Sequence, residues 1–441
     1  FRRVLFRSVL VLGLGDSGLA MVRWCVRHGA NVTVVDTREH PPHLAQLHAE
    51  HPDVVFKHGP FDVSLVEGQA IRAVFKSPGL SPESVAPVWQ AAQAAGLWVG
   101  TELTLFAQAL EELKTDKQYT PHVLAITGTN GKTTVTSLTG QLLERAGLRI
   151  AVAGNIGPTL LDTLGCAIDQ EQSQWPQAWV LELSSFQLDQ VNNFEPTAAT
   201  VLNLTQDHLD WHGDMAAYAA AKARIFGQHS CMVLNREDSS VMAMLPAPVA
   251  KTKGSKQLPR EVMRFGGDMP TQHGDWGLET VNGMTWLVRA LDVDETRKSR
   301  TTAETEIYIQ RLLPVDALRI RGRHNALNAM AALALASTTG APLAAMLYAL
   351  REYRGEPHRV ASVAVLQDVE YIDDSKGTNV GASVAAINSV GADRRIVLIL
   401  GGDGKGQDFS SLRVPIQQFV RSDRKSTRLN SSHTDISRMP S

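Results

Sequence analysis

The stretch Val123–Thr134, VLAITGTNGKTT, decides how the chain is read. Val123, Leu124, Ala125 and Ile126 are apolar and read as a buried parallel strand. Gly128, Asn130 and Gly131 make a tight turn, and Lys132-Thr133-Thr134 open a helix expected to run to Arg145. Strand, glycine turn and helix start together form a phosphate cradle. Backbone N–H groups point at the anion, the helix dipole favours negative charge, and glycine lets the backbone come close. Lys132 would reach the terminal phosphates of a nucleotide, and the Thr133 hydroxyl would hold Mg²⁺. The strict G-x-x-x-x-G-K-[ST] spacing needs glycine at position 126, where Ile126 stands. The pattern therefore also admits an ordinary strand-to-helix turn with a surface lysine.

Upstream, VLVLGLGDSGLA places Gly13-x-Gly15-x-x-Gly18 directly after an apolar strand starting at Val9. A second strand, Asn31–Val35, ends in Asp36-Thr37-Arg38. Glycines after the first strand and an acid after the second form a dinucleotide fingerprint, whose geometry suits any nucleotide meeting the turn. Ala73–Lys76 reads as another strand, followed by Ser77-Pro78-Gly79-Leu80, which on spacing alone is a plain Pro-Gly turn. Thr101–Leu110 reads as a helix leading into a polar linker, Glu111–Pro121.

Downstream, Ile150–Gly157 is a strand carrying Asn155 in its terminal turn. Trp179–Leu183 presents Glu182 at a strand's carboxyl end, where open α/β sheets bind ligands and where an acid suits Mg²⁺. Ala199–Leu204 is a strand followed by Asp207-His208, and His208 would orient a carboxylate or ligate metal. The helix Met215–Phe226 sets Tyr218 and Lys222 one turn apart on one face. A lysine on so alanine-rich a helix is ordinarily solvated. From 246 to 311 the pattern degrades into an expected irregular insertion with short strands at Met284–Arg289 and Glu306–Gln310. Arg323, His324 and Asn325 then open an alanine-rich helix. Glu370–Ile372 and Ile396–Leu400 read as strands that end in acid, lysine and glycine, at Asp373–Asn379 and Gly401–Lys405.

A chain of 441 residues suggests about three domains. An apolar fraction of 44% with 20% charged residues is globular, and a net charge of −2 gives no nucleic-acid or membrane-surface footprint. Cys25, Cys166 and Cys231 show neither metal-ligand nor disulfide spacing, which fits a reducing cytoplasm. No run has transmembrane length and no signal-peptide pattern is present. Residues 1–8 and the Ser/Arg-rich residues 422–441 read as non-native ends. The expected partition is 9–115, 116–355 and 356–421.

In chain order, Gly128–Thr134, Gly154–Gly157, Glu182–Leu188, Asp207-His208, the Tyr218/Lys222 helix, Gly322–Asn328, His358-Arg359, Asp374–Asn379 and Gly401–Lys405 resemble the motifs of the Mur ligases. Asp36-Thr37-Arg38, Ser77-Pro78-Gly79 and the run LELSSFQL look most like the D-glutamate-adding branch. The resemblance runs from Val9 to Asp408, and the family's shorter phosphate loop accounts for Ile126. It implies an α/β fold of three domains. These are an N-terminal Rossmann-like UDP-binding domain, a central P-loop ATPase-like domain with a mostly parallel sheet, and a C-terminal Rossmann-like domain, truncated here.

It also implies a reaction. ATP phosphorylates the carboxylate of UDP-N-acetylmuramoyl-L-alanine, and the D-glutamate amine attacks the acyl phosphate, in peptidoglycan precursor synthesis in the cytoplasm. The resemblance makes Lys132, Glu182, His208 and a carbamylated Lys222 catalytic, and has two Mg²⁺ ions held by Thr133, Glu182, His208 and Lys222. ATP would meet Gly128, Thr129, Asn130, Gly131, Lys132, Thr133, Thr134, Asn325, Arg359 and Asp374. The UDP-sugar would meet Gly15, Asp36, Thr37, Arg38, Ser77, Pro78, Gly79, Asn155 and Ser184. Lys376, Thr378 and Lys405 would meet D-glutamate or phosphate. The family's C-terminal stretch that grips the D-glutamate side chain has no counterpart here, so weak D-glutamate binding is expected. A monomer without nucleic-acid or membrane partners is expected too. The rivals are an NAD-dependent dehydrogenase using Gly13–Gly18 and Asp36, a non-catalytic nucleotide-sugar module, and a sister ligase such as folylpolyglutamate synthase.

Overall fold

Val9–Leu12, an unbroken apolar run, forms the centre of the first sheet in the computed structural model, which describes residues 8–246, 260–292, 307–392, 394–402, 404 and 407–421. Its strands are β1 (Ser8–Leu12), β2 (Asn31–Asp36), β3 (Val55–His58), β4 (Ala73–Lys76) and β5 (Trp98–Gly100). They lie in the order β3-β2-β1-β4-β5, all parallel. The chain winds one way from β1 and then returns to the other side at β4. The glycine turn after β1 therefore sits at a topological switch point, where such sheets leave a crevice for ligand.

The second sheet contains β6 (His122–Thr127), β7 (Ile150–Gly154), β8 (Ala178–Glu182), β9 (Ala198–Val201), β10 (Cys231–Asn235), β11 (Val262–Phe265), β12 (Trp276–Val281), β13 (Met284–Asp292) and β14 (Ile307–Pro314). Their order is β14-β13-β12-β11-β10-β9-β6-β8-β7. Pairing is parallel from β7 to β12 and antiparallel from β12 to β14. β6, which carries VLAITG, lies between β8 and β9, so its loop too opens at a switch point. Val135, Leu138 and Leu142 of the following helix, Lys132–Arg145, pack on one face with the alanine-rich helix Arg323–Ser337. Small side chains let these two helices approach closely. On the other face, Trp179 and Leu181 join Phe106 and Tyr218 in a core continuous with that of the first sheet.

Three expectations need correction here. The polar linker Glu111–Pro121 is mostly helix: Glu102–Lys117 is one element, and only at Gln118 does the backbone turn left-handed (φ 56°). Its apolar residues, Leu103, Leu105, Phe106 and Ala109, carry the helix across the junction between the two sheets. The insertion at 246–311 is not irregular where it is described. β11 extends the parallel sheet, and β12–β14 form an antiparallel ribbon in which β13 buries Leu287, Val288 and Ala290, with a shift of register between Leu287 and Val288. Residues 247–259 and 293–306 lie outside the described residues, as do 1–7 and 422–441, so the proposed non-native ends are not described apart from Ser8.

The third correction concerns the last segment. β15 (Ala361–Leu366) and β16 (Val369–Asp373) form an antiparallel hairpin, with Gln367 and Asp368 both at positive φ in the turn. The helix Val380–Gly391 follows. The expected strand Ile396–Leu400 is reduced to one bridge, Ile396 with Val420. Val397 and Ile399 are exposed, so among the described residues this apolar run has no sheet to enter. Among the described residues, no helix is long and apolar enough to cross a membrane.

Candidate functional site

The β6 loop is built as a rigid socket. Gly128 and Gly131 have φ of +150° and +85°. A side chain at Gly131 would also strike Asn328 Oδ1 at 2.7 Å, so glycine is required there twice over. The segment after β9 buttresses the loop. Thr129 N–H donates to the Asn203 carbonyl (2.9 Å), Asn130 N–H to Asn203 Oδ1 (2.8 Å), and Asn203 Nδ2 to the Asn130 carbonyl (3.0 Å). The Lys132 Nζ folds onto the loop, donating to the carbonyls of Gly128 (3.0 Å) and Thr129 (2.9 Å).

Two acids line this socket. Register sets Glu182 of β8 directly beside Ile126 of β6, one strand spacing of about 5 Å away. Glu182 is 2% exposed, with Oε1 accepting from Asn155 Nδ2 (2.7 Å) and Oε2 buried without a hydrogen-bond partner among the described residues. Asp207 is likewise buried, with Oδ1 unpartnered among the described residues, while its Oδ2 lies 3.5 Å from His208 Nε2. Buried carboxylate oxygens without donors are expensive to leave so, and they are the hard ligands that a divalent cation takes. The donor set thus fits Mg²⁺. Among the described residues, no group of three or more His, Cys, Asp or Glu could hold a metal unaided. Further ligands would have to come from hydroxyl, phosphate or water oxygens.

Lys222 is not on a solvated face: it is 1% exposed. Its Nζ lies 4.7 Å from the Tyr218 ring centre and donates to Thr127 Oγ1 (3.1 Å) and to the Gly128 carbonyl (2.9 Å). Lys132 and Lys222 therefore converge on one carbonyl oxygen. Burial drives Lys222 well below the usual lysine range and the Lys132 charge reinforces this, against the pull of Asp207 and Glu182. Lys132 is also lowered by burial, with Glu182 and Asp207 opposing.

The last segment closes over the loop. Asn379 and Asn130 pair side chain to side chain (2.7 and 3.2 Å), and Arg359 Nη2 donates to Thr133 Oγ1 (2.7 Å). Asp374 Oδ1 accepts from Val360 N–H (3.1 Å), and burial raises its carboxyl. His208, with φ of 56°, caps the short helix Leu209–His212 and stands edge-on to Phe186 at 4.8 Å.

In the first sheet, Asp36 is spent on its own turn. Its Oδ2 accepts from Leu14 N–H (2.8 Å) and Arg38 Nη2 (2.8 Å), and its Oδ1 accepts from Arg38 N–H and Nε (both 2.9 Å). The dinucleotide reading thereby loses its ribose acceptor. Burial pushes the Asp36 carboxyl up, yet the bonds from Arg38 and Leu14 outweigh it and the net shift is down. Ser77 Oγ donates to the Gly13 carbonyl (2.9 Å), so the turn after β4 is tied to the glycine loop. The space above Gly15 is open among the described residues.

Residues 126–336 match the Mur ligase middle domain, and residues 7–100 match the Mur ligase MurD-like, N-terminal domain. The chain is 60% identical over 415 residues to the UDP-N-acetylmuramoylalanine--D-glutamate ligase of Albidiferax ferrireducens, covering 94% of this chain and 81% of that relative. It belongs to the Mur ligase family. The enzyme of the same name from Burkholderia multivorans is 54% identical over 423 residues, covering 94% of this chain and 82% of the relative. A solved UDP-N-acetylmuramoyl-L-alanyl-D-glutamate--2,6-diaminopimelate ligase shares the fold, at a TM-score of 0.50 and 21% identity, over 83% of this chain and 79% of that one.

Within this Mur ligase, Lys132, Glu182 and Lys222 come together around Gly128. Asn155 is there too, bonded to Glu182, and Thr133 is held by Arg359. Asn325 Oδ1 accepts from Asn328 Nδ2 (3.1 Å), which links it to the Gly131 contact. Arg323 is drawn away into a pair with Glu237. Ser184 has a structural use as a helix cap for Gln187. Thr37, Gly79, Lys376 and Thr378 are exposed, Pro78 is half-buried, and Lys405 lies outside the described residues. Sequence reasoning assigned no role to Asn203, Asn379 or Lys76: Asn203 and Asn379 meet Asn130 across 73 and 249 positions, and Lys76 meets Asp189 and Trp211. Asp207 had a signal, its place beside His208.

Proposed function

We propose that this Mur ligase joins UDP-N-acetylmuramoyl-L-alanine to D-glutamate at the expense of ATP, with Mg²⁺. The observation that carries this reading is the meeting of a glycine cradle with buried, unpartnered acid oxygens and two lysines on one carbonyl. A substrate carboxylate oxygen attacks the γ-phosphorus of ATP, the bond to ADP breaks, and an acyl phosphate forms. The amine nitrogen of D-glutamate then attacks the acyl carbon. Phosphate leaves, and the nitrogen loses a proton. The chain must hold several anions together, which is chiefly an electrostatic task.

Lys132 would leave its loop carbonyls to meet the phosphates. Glu182 Oε2, Thr133 Oγ1, His208 and Lys222 would hold the Mg²⁺ ions, which when bound neutralise phosphate charge. Thr133 would share its hydroxyl with Arg359 or release it. A neutral Lys222 amine can add CO₂ and lose a proton, becoming a carbamate. That change removes the clash of two cations at Gly128 and supplies oxygen ligands. A carbamate resonance from ¹³C-bicarbonate that vanishes in Lys222→Ala would support it. Gly15, Thr37, Arg38 and Ser77–Gly79 would hold the UDP moiety, with Asp36 acting through the Leu14 and Arg38 groups that it fixes, and Asn155 and Ser184 would hold the muramoyl group. Asn325, Arg359 and Asp374 would serve ATP, and Lys376, Thr378 and Lys405 the incoming D-glutamate or phosphate. The protein would act as a cytoplasmic monomer.

The test is ADP release with UDP-N-acetylmuramoyl-L-alanine, comparing D-glutamate with L-glutamate and other amino acids. Release dependent on both the muramoyl substrate and D-glutamate is expected. Release that is indifferent to the amino acid, or none, would overturn the assignment.

A further inference from the structure

A fully buried lysine outside the phosphate socket remains to be explained. Lys76, the last residue of β4, is 0% exposed. Its Nζ lies 5.4 Å from the Trp211 ring centre and 5.9 Å from that of Trp89. Asp189 Oδ2 is 3.7 Å away, beyond a hydrogen bond, and neither atom has a hydrogen-bond partner among the described residues. The other Asp189 oxygen accepts from Arg224 Nη1 (3.0 Å). Burial pushes the Lys76 ammonium below its usual range, with Asp189 opposing. A long ion pair sealed from water is a poor way to gain stability, and apolar side chains in place of both partners commonly do as well or better. The charge therefore has another use.

Its neighbours indicate which. Ser77, the next residue, ties the β4 turn to the Gly13 carbonyl. Trp211, on the other side, packs on Phe186 at 4.7 Å, and Phe186 faces both His208 (4.8 Å) and His212 (5.8 Å). His212 meets Tyr218 at 5.3 Å, and the Tyr218 hydroxyl reaches Thr129 Oγ1 at 3.2 Å. Side chains in contact thus run from the glycine turn of the first sheet to the phosphate loop of the second, and Lys76 is the link that crosses between them.

We propose that Lys76 is a positioning residue, which through the faces of Trp211 and Trp89 and the charge of Asp189 holds the Ser77–Gly79 turn in register with the turn carrying His208. The inference rests on the function proposed above, in which those two turns address opposite ends of one substrate. A cation over an indole face is directional in distance yet tolerant of sliding, which suits a joint between two rigid sheets.

The test compares Lys76→Met, which keeps volume and removes charge, with Lys76→Arg, which keeps charge. Lys76→Met in an Asp189→Asn background, which leaves no carboxylate without its cation, should leave Tm unchanged or raised. It should lower kcat/KM for the UDP-sugar about 10–100-fold, the scale of a misplaced reactant, and leave KM for ATP unchanged. Lys76→Arg should recover a large part of the loss. Wild-type kinetics in Lys76→Met, or a loss of activity matched by a loss of Tm and not rescued by arginine, would overturn the proposal. A second readout needs no turnover. Spin labels at the exposed positions of Glu67→Cys and Glu144→Cys, in a Cys166→Ser background where Cys25 and Cys231 are buried, report the distance between the two sheets' units. The distance distribution should broaden in Lys76→Met, and an unchanged distribution would overturn the positioning role even if the ligase assay itself had failed.

Discussion

At Gly128 one carbonyl oxygen accepts from two lysines, and this crowding governs the chemistry of single residues. Of the two, Lys132 begins the helix and is free to follow an incoming phosphate, whereas Lys222 is enclosed. Lys132→Ala should lower kcat about 10²–10³-fold, the scale of losing one preorganised electrostatic group. An unchanged kcat in steady-state ADP release would remove Lys132 from the site. Glu102 offers a separate residue-scale prediction. It is buried at the junction of the two sheets, where it accepts from Ser17 Oγ (2.5 Å) and Leu161 N–H (3.0 Å). Burial raises its carboxyl from 4.5 to about 7. A raised acid pKa means that the folded state holds the proton more tightly than the unfolded one. Its contribution to stability is therefore full below pH 4.5 and is lost as pH rises to about 7, amounting to about 3 kcal/mol across the window. Glu102→Gln should thus gain on wild type in urea unfolding at pH 8 and differ little at pH 5. An equal difference at both values would refute the buried proton.

Elements meet at distances that only particular residues allow. A Cβ at Gly18 would lie 2.1 Å from the Gly13 carbonyl oxygen and 2.9 Å from Ser77 Oγ. The helix Asp16–Arg27 can press against the β1 turn only because Gly18 has no side chain. Gly18→Ala should cost about 1–3 kcal/mol in unfolding free energy, as overpacking does, and weaken UDP-sugar binding measured by calorimetry. Unaltered stability would mean that the turn yields freely. These short-range features were legible in the chain. β6 with its helix, β4, and the glycines of both turns follow from apolar runs and local sterics, which need no distant partner. The helix across Glu111–Lys117 was not legible, because this stretch is polar except for Leu113 and is carried by the apolar residues of the helix before it. Short strands were read at Met284–Arg289 and Glu306–Gln310, but β12 and the ribbon that they form with it were missed for a related reason. Its strands gain meaning from the edge of β11, which the local pattern does not show.

On the scale of the whole molecule, burial is uneven. The two parallel sheets share large cores, while the helix Val380–Gly391 sits on a small one of Val380, Ile387 and Leu412. Val363, Val365, Leu366, Val397 and Ile399 are all more than 60% exposed in that last segment. Large exposed apolar faces favour self-association and local opening. Limited proteolysis should cut first between 361 and 421, leaving both parallel sheets intact. Val365→Lys with Ile399→Lys should reduce binding of a hydrophobic dye without lowering the main Tm. First cleavage within the parallel sheets would contradict this ordering.

By itself the sequence determined the parts that depend on neighbours a few residues away: two strand–glycine–helix turns, their place in α/β sheets, and an ordered set of motifs that resembles the Mur ligases. Tertiary structure alone decided which groups share a space. Asn130 meets Asn379 across 249 positions, Arg359 meets Thr133 across 226, and Lys76 meets Asp189 and Trp211 between sheets. It also decided the direction in which the Lys222 ammonium and the Glu102 carboxyl shift, down for the first and up for the second. Charge state follows burial and nearby charge, and both exist only once distant segments have packed together.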